Sequence, residues 1–416
     1  LGGLLMSDLW NNTIGYMKKA SKALNLDEEI LNALLKCKRV LEFQIPLRMD
    51  DGKVRYFTGY RVVHNDALGV SGDGTRIVAG LTADEVKGLA LVMSIKHAAN
   101  GIPAGGAKGG IDADPSLLSE GEFERLVRGY IRGLSPRGAK VDVPGEDINT
   151  SAKTQAWMLD EYEQITGIHS PGAVNDKPRI LGGSLGGEDA TGRGMYHLTL
   201  KICEEQDWAP EDVKVAIQGF GNVGSYYAKY LQKAGFKVVA VSDIKGGVFN
   251  PDGINIEDLL KYSKMTGSVA SFPDARQITN EELLLCDCEI LAPSAVEDVI
   301  TLRNAGDIKA KIIIEGANGP ITPQADDVLY SREIVVVPDV VANAGSAIVC
   351  HFERSQCATD NYWDLETVQA KLESQIINSY VVMKNTAKEL HISFRTATWV
   401  NALKAIVRAM KLRGLL

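Results

Sequence analysis

The spacing of apolar positions changes along the chain, and each change marks a different kind of element. Residues 8–20 and 26–38 carry apolar side chains at helical spacing. Asp27, Glu28 and Glu29 suit the start of the second helix, because carboxylates stabilise the positive end of a helix dipole. The period then shortens. Val40, Phe43, Ile45 and Leu47 lead into Asp51-Gly52, and Val54, Tyr56, Tyr60 and Val62 follow, which predicts a hairpin turning at Asp-Gly. Thr82-Ala83-Asp84-Glu85 reads as a capping box, with Val86, Leu89, Ala90 and Met93 as the apolar stripe of the helix it starts. Ser119-Glu120-Gly121-Glu122 starts another, residues 141–143 read as a short strand, and 154–165 as a helix. This mixed region ends near Lys177-Pro178.

From about residue 188 the order becomes strand, glycine turn, helix, strand. Residues 213–217 form a buried-type strand, 223–234 the helix after the glycines, and 237–241 the next strand. Residues 289–292, 311–314 and 334–337 supply further β-rich runs. Strands alternating with helices predict a parallel sheet covered on both faces. Two long amphipathic patterns, about 364–390 and 396–412, complete the chain, with no internal repeat and no low-complexity linker.

At 416 residues, with 45% hydrophobic and 24% charged, the chain has ordinary globular usage and room for two or three domains. A net charge of -8 argues against a nucleic-acid or anionic-membrane surface. No apolar run is long enough to span a bilayer. Cys37, Cys203, Cys286, Cys288, Cys350 and Cys357 are expected to be reduced thiols in a cytoplasm. Cys286-Asp287-Cys288 is too tight for a zinc knuckle and no matching pair follows, so no metal is expected. Leu1-Gly2-Gly3-Leu4-Leu5, ahead of Met6-Ser7-Asp8, reads as an extension without a function of its own.

The first chemical signal is Gly219-Phe220-Gly221-Asn222-Val223-Gly224. Two spaced glycines alone are weak evidence, since glycine-rich turns are common. Here they follow a strand and open a helix, and Asp243 closes the next strand 19 residues on (243 − 224). Gly219 permits the tight turn, Gly221 lets backbone approach a pyrophosphate, and Gly224 permits close helix–strand packing. Backbone N–H groups of Asn222, Val223 and Gly224 then face the phosphates. Asp243 would accept hydrogen bonds from the adenosine ribose and repel a ribose phosphate, which favours NAD. Lys245, two residues on, softens that preference and leaves NADP open.

The second signal is a pair of lysines. Gly105-Gly106-Ala107-Lys108-Gly109-Gly110 surrounds one lysine with four glycines, a segment of poor helix and strand propensity. Read functionally, the glycines admit substrate and a desolvated Lys108 has a lowered pKa; read blandly, it is a surface loop with a solvated lysine. Lys96 continues the stripe of Leu89 and Met93, so its charge faces a core or a cleft unless it snorkels outward at the helix C-terminus.

Met93-Ser-Ile-Lys96, Gly105 to Gly110, Asp142-Val-Pro-Gly-Glu-Asp147, Ala190-Thr-Gly-Arg-Gly194, Gly219 to Gly224, Glu315-Gly-Ala-Asn318, Asn343-Ala-Gly345 and His351-Phe-Glu353 occur in that order. In this ordered set the chain resembles the glutamate/leucine/phenylalanine/valine dehydrogenase family over nearly its whole length. The resemblance implies an α/β fold of two domains: a mixed α/β substrate domain and a doubly wound Rossmann-type dinucleotide domain, with a cleft between them that closes on substrate. The expected boundaries are 1–187, completed by C-terminal helices at about 364–416, and 188–363 for the dinucleotide domain. It also implies that Lys96 binds the substrate α-carboxylate, that Lys108 polarises the carbonyl or imine carbon and the attacking water, and that Asp147 shuttles protons to and from the amine. Thr191 and Asn343 match family positions near the nicotinamide, and Asn318 one near its ribose. Without the resemblance, Asp147 reads as a turn or helix N-terminal acid. The implied partners are an amino acid, its 2-oxo acid and ammonia, together with copies of the chain itself in a homohexamer.

Two positions depart from the glutamate-using pattern. Those family members hold the side-chain carboxylate with a lysine in Gly-Pro-x-Lys-Gly-Gly-x-Arg; here the segment is Gly69-Val-Ser-Gly72-Asp-Gly-Thr-Arg76, with Gly72 at the lysine position. A serine that assists falls at Cys350. A buried carboxylate without such partners is costly. Three readings follow: glutamate oxidation with Arg76 or another group compensating, a leucine- or valine-type amino-acid dehydrogenase, and a non-catalytic regulatory paralogue. The retained Lys96, Lys108 and Asp147 count against the third.

Overall fold

The structure, a computed structural model, describes residues 9–134 and 138–416. The extension 1–5 and the first residue of the expected helix 8–20 lie outside the described residues. Two compact units emerge. The first comprises Leu9–Gly187, Ala347–Gln369 and Trp399–Leu416; the second comprises Glu188–Ser346 and Ala370–Thr398.

The first unit runs α1 (Leu9–Ala23), α2 (Glu28–Leu34), β1 (Arg39–Arg48), β2 (Val54–Asn65), β3 (Ser71–Val78), α3 (Ala83–Ala99), β4 (Gly105–Asp112), α4 (Glu120–Leu134), β5 (Asp142–Glu146) and α5 (Ala152–Thr166). Its sheet has the order β1-β2-β4-β3-β5, antiparallel through β1, β2 and β4 and parallel across β4, β3 and β5. The Asp-Gly hairpin forms as read: Arg48 pairs with Val54, and Gly52 takes φ 83°. Ile45, Leu47, Val62 and Val63 are among its buried members, whereas Val40, Val54 and Tyr56 are exposed. The second helix stops at Leu34 rather than 38, because Lys38 N–H donates to His64 O (2.9 Å) and draws the chain into sheet register.

The largest surprise is β4. The glycine cluster that reads as a loop is an inner strand of this sheet, buried along nearly its whole length. Tertiary contact dictates the glycines. A Cβ at Gly106 would lie 2.1 Å from Ser94 N on α3, and one at Gly109 would lie 2.0 Å from Tyr130 Oη on α4. Helices press on both sides of the strand, and only glycine leaves them room. The α4 and α5 side is a core of Ile45, Leu47, Ile77, Ile111, Leu126 and Tyr130 among others.

His64 is buried behind this sheet, with Nδ1 at 2.8 Å from Ser94 Oγ and Nε2 at 2.8 Å from Leu34 O. The carbonyl only accepts, so Nε2 carries the proton. Burial, opposed by that carbonyl, pushes the imidazole down to about 4. Its folded pKa lies below the ordinary 6.5, so its contribution is complete above 6.5 and is lost as pH falls towards 4. By pH 5 the loss should be about 2 kcal/mol. The stability gap between wild type and His64→Gln, which does not titrate, should therefore narrow by that amount between pH 7 and pH 5. Urea midpoints measured at both pH values check this, and a gap independent of pH contradicts it.

The second unit contains α6 (Ala190–Gln206), β6 (Lys214–Gln218), α7 (Asn222–Lys233), β7 (Lys237–Asp243), β8 (Gly246–Phe249), α8 (Ile256–Thr266), β9 (Arg276–Ile278), α9 (Asn280–Leu284), β10 (Ile290–Pro293), β11 (Ile312–Ile314), α10 (Pro323–Ser331), β12 (Val335–Val337) and α11 (Asp339–Ala342). Its sheet order is β12-β11-β10-β6-β7-β8-β9, parallel from β12 to β7. The expected parallel, doubly wound sheet is thus extended by an antiparallel edge, β8 and β9. Strand order reverses at β6, so the Gly219 turn at its C-terminal end occupies the topological switch point where such sheets take ligands.

Three helices follow: α12 (Gly345–Thr359), α13 (Leu365–Leu390) and α14 (Phe394–Leu412). One change of unit falls between Gly187 and Glu188, and the others fall within the last three helices. Residues 347–363 belong to the first unit, where Cys350, Glu353 and Gln356 bond Asp176, Lys177 and Ser184. Residues 370–398 belong to the second, where Tyr380 and Lys384 bond Glu205 (2.8 and 2.7 Å) and Arg395 reaches Glu315. Among the described residues no helix is long and apolar enough to cross a membrane.

Candidate active site

In the first unit, the strands β3 and β4 and the residue after β5 bring Gly72, Lys108 and Asp147 together. Lys108 Nζ lies 3.1 Å from Asp147 Oδ2 and 3.2 Å from Asp73 Oδ1. Arg76 Nε donates to the same Asp147 oxygen at 3.0 Å, and Arg76 Nη1 reaches Glu85 Oε1 at 2.9 Å. The Thr82 capping box is accordingly half made: Thr82 Oγ1 accepts from Glu85 N, while the Glu85 carboxylate is drawn to Arg76. Two of the Arg76 donors are thereby committed to acids of the protein itself.

Electrostatics alters one expectation. Burial works to lower the Lys108 pKa, but the carboxylates of Asp147 and Asp73 outweigh it and hold the ammonium above its ordinary value. Burial works to raise Asp147, and the cations Lys108 and Arg76 win there too, holding it at about 2. In the resting geometry the pair is therefore a tight ion pair.

Asp73 was not singled out by the sequence reading. It stands where the family pattern carries the first of its paired glycines, and it retains a glycine-like φ of 146°. That mismatch is the signal that could have found it. Arg61, 2% exposed, fixes the same corner: it grips Asp142 with Nε and Nη2 (2.8 and 2.7 Å) and donates Nη1 to Asp73 O (2.9 Å). Asp142, in the motif that ends at Asp147, is thus a structural partner.

Lys96 is buried in the last turn of α3, 6% exposed, beside the buried His97. The Cys350 thiol donates to Asp176 Oδ1 at 2.9 Å, and Asp176 Oδ2 accepts from Glu146 N. Burial, with Asp176 alongside, pushes the thiol well up, so Cys350 is neutral and its hydrogen is already committed. Glu353 of the His-Phe-Glu motif ties Lys177 (2.5 Å) to Ser184 N (3.1 Å).

The second unit assembles the remaining positions. Gly219 has φ 96° and donates N–H to Ser242 O, and a Cβ on Gly224 would lie 2.0 Å from Gly219 O. Gly221 is the N-cap of α7, without a side-chain cap, and nothing lies within 4 Å of where its Cβ would be. A helix start of free N–H groups before open space suits a pyrophosphate. Asp243 at the end of β7 accepts from Lys245 N (2.8 Å) and Val269 N (2.6 Å). A carboxylate has about four acceptor sites, so capacity remains for ribose hydroxyls. Asn222 Nδ2 donates to Glu188 O, just ahead of Thr191 at the start of α6. Asn343 Nδ2 donates to Asn318 Oδ1 at 2.9 Å, joining two predicted positions directly. Val223 occupies the first turn of α7, and its carbonyl lies 3.0 Å from where a Gly192 Cβ would stand, which brings the α6 and α7 starts together. These residues fit a dinucleotide. All six cysteines are free thiols, and no group of three or more His, Cys, Asp or Glu is arranged to hold a metal among the described residues.

Comparison with known proteins agrees. The profile of the glutamate/leucine/phenylalanine/valine dehydrogenases matches residues 182–414, and that of the Glu/Leu/Phe/Val dehydrogenase dimerisation domain matches 37–164. Glutamate dehydrogenase of Thermotoga maritima is 42% identical over 409 residues, covering 98% of both chains. NAD-specific glutamate dehydrogenase of Clostridioides difficile is 40% identical over 404 residues, covering 96% of each. Among solved structures, hetero-hexameric glutamate dehydrogenase of Thermus thermophilus in its leucine-bound form superposes with a TM-score of 0.93 at 31% identity, over 100% of this chain and 99% of that one. The ordered motifs, the two-unit fold and these matches agree: the chain belongs to the glutamate/leucine/phenylalanine/valine dehydrogenase family.

Proposed function

We propose that this protein catalyses the reversible, NAD-dependent oxidative deamination of L-glutamate to 2-oxoglutarate and ammonia. The observation that carries this reading is the Lys108–Asp147 pair, a cation and a carboxylate 3.1 Å apart and fixed on both sides by Arg76 and Asp73. The NAD specificity of named relatives and the Asp243 carboxylate at the end of β7 support the choice of cofactor.

NAD held by the Gly219–Gly224 turn and Asp243 would supply the acceptor for the hydride of the substrate α-carbon. Lys96 holds the α-carboxylate, and Lys108 places positive charge against the substrate carbonyl or imine and the water that attacks it. Asp147, freed from Lys108 by the substrate, takes the proton from the amine and returns it in the reverse direction. Thr191, Asn318 and Asn343 orient the nicotinamide and its ribose, while the first amides of α7 hold the pyrophosphate. The dimerisation-domain match and the hexameric relative support self-association; our reading is a homohexamer of this chain working in the cytoplasm.

Steady-state reduction of NAD and of NADP with glutamate, leucine and valine tests the reading. Glutamate turnover, faster with NAD, is expected. Leucine or valine turnover without glutamate would assign the aliphatic branch. A folded protein that binds NAD and oxidises none of them would be a regulatory paralogue.

A further inference from the structure

Most buried arginines here have an acid. Arg61 has Asp142, Arg395 has Glu315 and Asp326, and Arg76 has Asp147 and Glu85. Arg354 is the exception. It is partly buried in α12, one turn after Cys350, and among the described residues no carboxylate lies within 4.0 Å of it. Its Nη2 donates to Val70 O at 3.3 Å. The carboxylate that acts on it, Asp142, is gripped in bidentate fashion by Arg61. Burial, only partly offset by Cys350 and Asp142, holds the guanidinium below the ordinary arginine range. A cation withdrawn from water without a counter-ion is costly, and proteins keep one where an anion arrives.

The position of that cation matters more than its lack of a partner. A Cβ built on Gly72 would lie 3.5 Å from Arg354 Nη1. The guanidinium therefore occupies the space above Gly72 that a lysine side chain would need. The His97 ring feels Asp73, Arg354 and Lys96 together, which places Arg354 and the α-carboxylate lysine in one electrostatic neighbourhood. The acids there are already matched: Asp73 by Lys108, and Asp176 by the Cys350 thiol and the Glu146 amide.

We propose that Arg354 is the specificity-determining anchor for the substrate side-chain carboxylate, replacing from α12 the lysine that Gly72 lacks. The inference rests on the amino-acid deamination reading and narrows it to dicarboxylic substrates. With Lys108 balanced by Asp147 and Asp73, the two carboxylates of glutamate meet two cations, Lys96 and Arg354. A guanidinium presents a planar fork that matches a carboxylate at two points, so the Gly72 position needs no side chain.

The test compares L-glutamate with L-norvaline, which carries a methyl in place of the side-chain carboxylate, in wild type, Arg354→Met and Arg354→Lys. In the methionine variant kcat/KM for glutamate should fall about 100-fold, mostly through KM, with norvaline changed less than about threefold. The lysine variant should recover at least a tenth of the wild-type value. An equal fall for both substrates would mean a structural role and overturn the proposal, as would an unchanged glutamate preference. Should the methionine variant not fold, Arg354→Gln gives the same comparison. If wild type oxidises neither substrate, deamination itself fails, and calorimetry then reads the anchor separately. Wild type should bind 2-oxoglutarate in preference to 2-oxopentanoate, and loss of that preference in the variant supports the anchor while its retention overturns it.

Discussion

Replacing Lys108 with methionine should lower kcat for glutamate oxidation by roughly three orders of magnitude or more, with NAD affinity unchanged. Methionine keeps most of the side-chain length and fits an interior that tolerates no added volume, so the change is chiefly one of charge. It removes the ammonium shared between Asp73 and Asp147 at 3.2 and 3.1 Å and leaves Asp147 its ion pair with Arg76. The effect should therefore extend to the pH profile of the residual activity. Burial raises the Asp147 pKa and the cations Lys108 and Arg76 hold it down to about 2; with one cation gone the carboxylate rises towards its ordinary value and the acid limb of the profile moves to higher pH. Steady-state rates across pH, with NAD affinity from calorimetry, check both parts. A kcat within tenfold of wild type would remove Lys108 from the chemistry.

Replacing Arg395 with methionine should destabilise the second unit by about 3–5 kcal/mol. Arg395 is 2% exposed and contacts three acids: Glu315 at 2.6 Å, Asp326 at 2.8 Å and Asp339 at 3.6 Å. Without it, three carboxylates stand in the interior with no cation. Glu315 is already pushed up to about 7 by burial, against the pull of Arg395 and with Asp339 adding to the rise, so in the variant it should take up a proton. The damage should also reach the cofactor. Glu315 Oε2 accepts from Asp339 N, and Asp339 accepts from Gly319 N, which flanks Asn318 on the loop held by Asn343. Urea unfolding of Arg395→Met is the measurement, and a loss under about 1 kcal/mol would show that the cluster is not what holds this corner.

The parts that were legible in the sequence are those whose causes are local. The hairpin at Asp51-Gly52 is set by alternation and a left-handed glycine, and the Gly219 turn by a strand before it and an acid after the next one. The parts that were not legible have distant causes. Lys108 lies on an inner strand because Ser94 and Tyr130 press in from separate helices, which no window around residues 105–110 contains. Helix α6 is obscured by Gly192 and Gly194, and the first of these is required because a Cβ there would meet Val223 O at 3.0 Å. Arg354 and Gly72 are 282 positions apart (354 − 72), and only folding places a guanidinium over the missing side chain. The proposed site residues followed from ordered motifs, but their charge states did not: Lys108 is raised by Asp147 and then by Asp73, whose role depends on the φ it takes.

The division of the last three helices between the units has a consequence for biosynthesis. The first unit includes residues 347–369 and 399–416, so its N-terminal 187 residues emerge from the ribosome long before their packing partners. With 163 residues to be made before Cys350 is reached (350 − 187), the wait is roughly 8–33 s at about 5–20 residues per second. Throughout that interval Lys177 has no Glu353 and Asp176 no Cys350. The packing of the first unit therefore cannot be completed until residues 399–416 have been made.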